Sequence, residues 1–195
     1  MKKLFLTLTA AVAVTLAANA QTEKGKVILG GNVSYDYSKV KDVDGDIQGF
    51  TILPSVGYFV GNNVAVGLGV GYSWAQEGEG SERTRTGEFA VAPFARWYKG
   101  DGDFKFFGQL SVPMGWGTLK EDGTKVANTQ RYGVALSPGF AYFPTSRIGL
   151  EFSVTGLYYN NSTVENEESG AKVTTNSFGL NANSLAPRVG IQFYF

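Results

Sequence analysis

The sequence predicts an all-β fold, an eight-stranded antiparallel up-and-down transmembrane β-barrel, and three observations carry that expectation. Large apolar residues recur at every second position in eight successive stretches. The connections between those stretches alternate between short turns and long polar loops. The interleaved positions are mostly small or charged. Composition agrees: the 195 residues include 26 Gly, 14 Phe, 10 Tyr and 3 Trp, and only 17% are charged, which suits an aromatic-rich β protein.

The start of the chain reads as a targeting segment. Met1, Lys2 and Lys3 make a positive beginning, Leu4 to Ala17 is an apolar run, and Ala18-Asn19-Ala20 offers small residues where a signal peptidase reads. Residues 1–20 are therefore expected to be a cleaved signal peptide and 21–195 a single barrel domain. The run is shorter than the roughly 20 apolar residues a helical span requires. Removing Lys2 and Lys3 leaves a net charge of −2.

The strands follow in order, each a period-two comb. The first holds Val27, Leu29, Val33, Tyr35 and Tyr37; the second Phe50, Ile52, Pro54, Val56 and Tyr58; the third Val64, Val66, Leu68, Val70, Tyr72 and Trp74. Phe89, Val91, Pro93, Ala95 and Trp97 mark the fourth, and Phe104, Phe106, Leu110, Val112, Met114 and Trp116 the fifth. Tyr132, Val134, Leu136, Pro138, Phe140 and Tyr142 mark the sixth, Ile148, Leu150, Phe152, Val154 and Tyr158 the seventh, and Leu185, Pro187, Val189, Ile191, Phe193 and Phe195 the eighth. Short turns are expected at Gly61–Asn63, Lys99–Asp103 and Pro144–Ser146. Long loops are expected near Lys39–Gln48, Ala75–Thr86, Leu119–Thr129 and Asn160–Asn176, with a summed charge of −4. Phe178, Leu180 and Ala182 lie on the opposite parity to Leu185–Phe195, so a β-bulge at Asn183 and Ser184, or a strand that begins only there, is expected.

Which face is outside follows from size. An eight-stranded barrel has an interior just wide enough for side chains to fill, so large residues on every strand cannot all point inward. The large comb also carries no Asp, Glu, Lys or Arg, as a lipid-facing surface demands. The aromatics gather at the two ends of the strands, as girdles do at membrane interfaces: Tyr58, Trp97, Phe104 and Tyr142 near the short turns, and Tyr35, Tyr37, Tyr72, Trp74, Trp116, Tyr132 and Tyr158 toward the long loops.

The other comb would face a narrow lumen. Its charges, Glu88, Arg96, Lys105, Arg131, Arg147, Glu151 and Arg188, form the expected lumen network, with Glu88 and Arg131 near the loop end. Glu151 is the expected central anion of an arginine cluster and Arg188, one strand away, its expected partner; the bland alternative is a merely solvated polar interior. Gly67-Leu68-Gly69-Val70-Gly71 alternates within a strand and lacks the strand-turn-helix context of a phosphate loop. The run Glu165, Glu167 and Glu168 reads as a solvated loop before a cation site.

With this signal sequence, these eight strands and an aromatic C-terminus, the chain resembles the small outer-membrane β-barrel proteins of Gram-negative bacteria, similar to OmpX and the transmembrane domain of OmpA. Its last eight residues, Arg188-Val189-Gly190-Ile191-Gln192-Phe193-Tyr194-Phe195, resemble that family's assembly signal. The resemblance implies that Arg188, Gly190, Phe193 and Phe195 are read by the barrel-assembly machinery, and that the protein sits in the outer membrane, among its lipids.

Absence narrows the function. The chain has no His and no Cys, which removes His-based triads, His or Cys zinc sites and disulfides. No cofactor or metal is expected, and the 17 basic residues balance the 17 acidic ones, so no nucleic-acid footprint appears. Three classes remain: a non-enzymatic, monomeric surface barrel whose loops support the envelope or bind an unknown extracellular ligand; a small porin-like channel with a cationic lumen; and, last, a lipid-modifying enzyme, since the barrels of that kind rely on His.

Overall fold

Alternation at period two becomes eleven strand segments in the computed structural model, which describes residues 22–39, 46–78, 83–182 and 188–195. They are β1 (Val27–Ser38), β2 (Asp46–Gly61), β3 (Val64–Gly78), β4 (Thr84–Lys99), β5 (Phe104–Ser111), β6 (Met114–Glu121), β7 (Thr124–Thr145), β8 (Ile148–Ser153), β9 (Gly156–Asn166), β10 (Lys172–Asn181) and β11 (Arg188–Tyr194). These make eight barrel strands, because β5 with β6, β8 with β9, and β10 with β11 each continue one strand. Every pairing is antiparallel, and β11 returns to β1 through Ile28↔Tyr194 and Leu29↔Phe193. The Val27 and Phe195 backbones exchange two hydrogen bonds of 2.8 Å at the same place. The expected signal peptide and the expected bulge at Asn183 and Ser184 lie outside the described residues.

Two of the interruptions have different causes. Between β5 and β6 the register does not change: Phe94 faces Ser111 and Val91 faces Met114. Pro113 has no N–H to give the ladder, while the Val112 N–H still reaches the Pro93 carbonyl at 3.0 Å. Between β8 and β9 a residue is added. Gly139 pairs with Ser153 but Leu136 with Leu157, so three steps on one strand oppose four on the other, with Gly156 at φ +68°. Such a bulge reverses the facing beyond it. Leu157 and Tyr159 are exposed at 56% and 46%, whereas Tyr158 lies between inward-facing Ala135 and Gly179. Tyr158 is therefore not part of the aromatic girdle, and Tyr159 takes its place.

The long polar connections are mostly strand. β6 and β7 meet at Asp122-Gly123, at φ +49° and +81°, the left-handed pair that a two-residue hairpin turn needs. β9 and β10 run on to Asn166 and from Lys172. Continued pairing satisfies the backbone groups that an open loop would leave to water. Above the girdle the outer face turns polar. Arg85 Nε donates to Gln76 Oε1 at 2.9 Å, Asn161 Nδ2 donates to Asn176 Oδ1 at 2.7 Å, and the Thr163 and Thr174 hydroxyls lie 3.0 Å apart.

Below that level the outer comb is apolar and exposed, from Val64, Val66, Leu68 and Val70 to Tyr72 on β3 alone. Phe104, Phe140 and Phe152 stack across three strands, with centroids 5.1 and 4.9 Å apart. Leu68→Arg, near the middle of this band, should cost roughly 2–4 kcal/mol in urea unfolding of the lipid-inserted barrel. A loss near zero would mean that Leu68 does not face the hydrocarbon.

Candidate functional site

The inward comb is less uniformly small than its sequence suggests. At the turn end Ile28, Phe59, Tyr98, Phe107, Phe143 and Tyr194 all point inward and are 6% exposed or less. Rings meet at 5.8 Å for Phe59 and Tyr98, 5.8 Å for Tyr98 and Phe107, and 5.0 Å for Phe143 and Tyr194. Together they form an apolar plug at this end of the barrel. Glycines on facing strands make the room. A Cβ on Gly139 would lie 2.5 Å from the Phe107 ring, and one on Gly149 2.9 Å from that of Tyr194. Residues before β1 cover the plug from below: Thr22 is 2% exposed, and the Asn63 N–H donates to its carbonyl at 2.7 Å.

These aromatics were legible as doublets that the face argument passed over. Neighbours in a strand point to opposite faces, so Tyr58-Phe59, Trp97-Tyr98, Phe106-Phe107, Tyr142-Phe143 and Phe193-Tyr194 each send one ring outward and one inward. All five lie beside the short-turn end of their strands.

Directly above the plug sits a closed hydrogen-bond ring. Arg96 Nη1 donates to Glu151 Oε1 at 2.6 Å and to the Tyr98 hydroxyl at 3.0 Å. The Tyr194 hydroxyl donates to the same Glu151 oxygen at 2.7 Å and lies 2.9 Å from that of Tyr98. Since Tyr194 spends its proton on Glu151, Tyr98 donates to Tyr194 and accepts from Arg96. Arg96 Nε donates to Gln109 Oε1 at 2.8 Å, and its guanidinium lies over the Phe107 ring, 4.5 Å from the centroid. Both charged side chains are 10% exposed or less, so each is matched inside the protein.

The predicted lumen residues divide among three levels. Glu151 is the central anion, but its partner is Arg96 from across the lumen, not Arg188. Arg188 pairs by backbone with Ser153, two positions above Glu151, and its side chain donates to Ser137 Oγ at 3.1 Å and the Val154 carbonyl at 3.4 Å. Glu88 and Arg131 form an ion pair toward the loop end. Lys105 lies at the turn end, where Nζ donates to Thr22 Oγ1 at 2.9 Å and Asn63 Oδ1 at 3.2 Å. Arg147 is not a lumen residue: it lies exposed in the turn between β7 and β8, because that hairpin closes before its side chain can enter the barrel. Of the acidic run, Glu165 pairs with Lys172 at 3.2 Å and Glu167 with Lys125 at 2.8 Å, which makes those carboxylates part of the hairpin surface.

Above the ring lies a cavity of about 330 Å³, lined by small residues such as Gly69, Ala92, Ser111 and Ala135, by Leu53 and Phe94, and by Arg96, Glu151 and Arg188. In β11 Arg188 and Gly190 flank outward-facing Val189, and Phe193 faces outward at 45% exposure.

Comparison with known proteins agrees with this architecture. The structure is similar to that of Neisserial surface protein A (NspA), with a TM-score of 0.50 and 13% identity over 88% of this chain and 98% of that one. It is similar to the outer membrane protein OprG from Pseudomonas aeruginosa, with a TM-score of 0.51 and 15% identity over 91% and 99%. At such identities the likeness is one of fold. No curated protein matches the sequence. Residues 6–191 match the outer membrane protein beta-barrel domain, and the chain, a closed eight-stranded outer-membrane barrel, belongs to that family.

Proposed function

We propose that this protein is a non-enzymatic surface barrel, exported by its signal peptide and folded into the membrane as a monomer by the barrel-assembly machinery acting on Arg188, Gly190, Phe193 and Phe195. It serves the envelope or binds an extracellular ligand through its loop-end hairpins. The observation that carries this reading is the aromatic plug, which supports a supporting rather than a conducting role for the lumen. The polar ladder on β9 and β10, held by Asn161, Thr163, Thr174 and Asn176, supports a stiff surface for a partner. The small-pore reading draws on the charges above the plug, but Arg96 and Glu151 neutralise each other there.

Planar-bilayer recording of the refolded mature protein tests the choice. Stable insertion without conductance steps is the expected result. Reproducible steps altered by Glu151→Gln would replace this reading with the pore.

A further inference from the structure

The lipid-facing comb has a gap near the turn end of the barrel. On β4, β5 and β7 the outward positions run in cross-strand rows: Lys99 with Phe106 and Phe140, then Trp97 with Gly108 and Pro138, then Ala95 with Leu110 and Leu136. The middle row is the thin one. Gly108 has no side chain, and the Trp97 indole lies over it and leaves no room for a Cβ. Pro138 adds only its ring. A groove of about 420 Å³ results, with Trp97 and Phe106 on one side and Leu136 and Leu157 on the other. Its walls stand on continuously paired strands, with Leu136 opposite Leu157.

Lys99 supplies the polar end of this groove. It closes β4 one outward position beyond the girdle residue Trp97, so its stem runs along the apolar wall and its ammonium reaches the level of the lipid headgroups. Among the described residues no side chain gives that ammonium an ion pair or a hydrogen bond. An apolar groove that ends at an unpaired cation is complementary to a molecule with an acyl chain and a phosphate. We propose that the groove is a specific lipid site, which holds one glycerophospholipid from the leaflet at the turn end, with an acyl chain in the groove and the phosphate on Lys99. The occupant follows from position: this face already meets the bilayer, so a lipid reaches the groove without any opening in the barrel wall. The volume lies within the range of small-molecule sites. A stable contact with a second copy of the chain would need a far larger matching face. The site lies outside the lumen and away from the loop-end hairpins, so neither a conducting barrel nor a hairpin partner bears on it.

The test is native mass spectrometry of the mature barrel in detergent, titrated with palmitoyl-oleoyl phosphatidylglycerol. The expected result is a first lipid held clearly more tightly than those that follow. Palmitoyl-oleoyl glycerol, which has the chains without the phosphate, should bind far more weakly. Lys99→Gln should weaken the first step about fivefold, the worth of one lysine at an anionic lipid surface. Lys24→Gln, at an exposed lysine of the same end, should leave it unchanged. Gly108→Leu, which fills the groove floor and keeps Lys99, should abolish the preferred step. Heat-modified gel mobility shows which variants have folded, and Lys99→Gln, at an exposed strand end, decides the matter alone if Gly108→Leu does not refold. Adducts that follow the statistical series of equivalent sites around the barrel would overturn the proposal. So would a first step indifferent to Lys99→Gln, one weakened equally by Lys24→Gln, or a dimer that takes up lipid only when Gly108→Leu dissociates it, which would give the groove to a second copy.

Discussion

Glu151→Gln should remove about 3–5 kcal/mol from the stability of the refolded barrel, the range for breaking a buried ion pair by deleting one partner. The variant keeps the side chain's shape but leaves Arg96, 10% exposed at its side chain, without its counter-charge. It also weakens the acceptor on which the Tyr194 hydroxyl and the Arg96 guanidinium converge. Urea unfolding in lipid measures the loss. Arg96→Gln should cost a similar amount, and the double variant clearly less than the two together, since each single change strands a charge that the double one removes. Strict additivity would mean that the two side chains do not act as a pair. Arg188→Gln, whose partners are neutral, should be much milder in the same assay.

The second large effect belongs to the plug. Phe59 and Phe143 are 0% and 1% exposed, and each is packed against Tyr194. Truncating either to Ala should cost about 3–5 kcal/mol, the transfer loss plus a residual cavity. The functional readout separates packing from sealing. A Phe59→Ala, Phe107→Ala, Phe143→Ala triple variant that still inserts should show conductance steps where the parent is silent. Continued silence of an inserted triple variant would mean that the lumen is sealed elsewhere than at these rings.

Several of these features could be read before any fold was known, for identifiable reasons. Strand facing is a local property: side chains alternate across a pleated strand, so Val64 to Trp74 declares a lipid face from its own spacing. The girdle follows in the same way for Tyr35, Tyr37, Tyr58, Tyr72, Trp97, Trp116, Tyr132 and Tyr142. Tyr158 escaped because one residue inserted near Gly156 reverses every position beyond it. Its trace was present in the shift from Phe152 to Leu157 and Tyr159 as the large residues. The plug was equally visible in the five aromatic doublets, once each was divided between two faces.

The ion pair at the centre is different. Arg96 and Glu151 are 55 residues apart and lie on strands that share no ladder, so no spacing along the chain relates them. Arg188 looked the better partner because its strand adjoins that of Glu151, but backbone register sets it two positions too high. What the residues settle unaided is therefore whatever depends on alternation and turn chemistry: strand number, direction, facing and the apolar belt. Which groups meet across the lumen depends on the stagger at which eight strands close on themselves. That stagger is a property of the whole ring, and it is there that the charge network, the plug and the cavity acquire their positions.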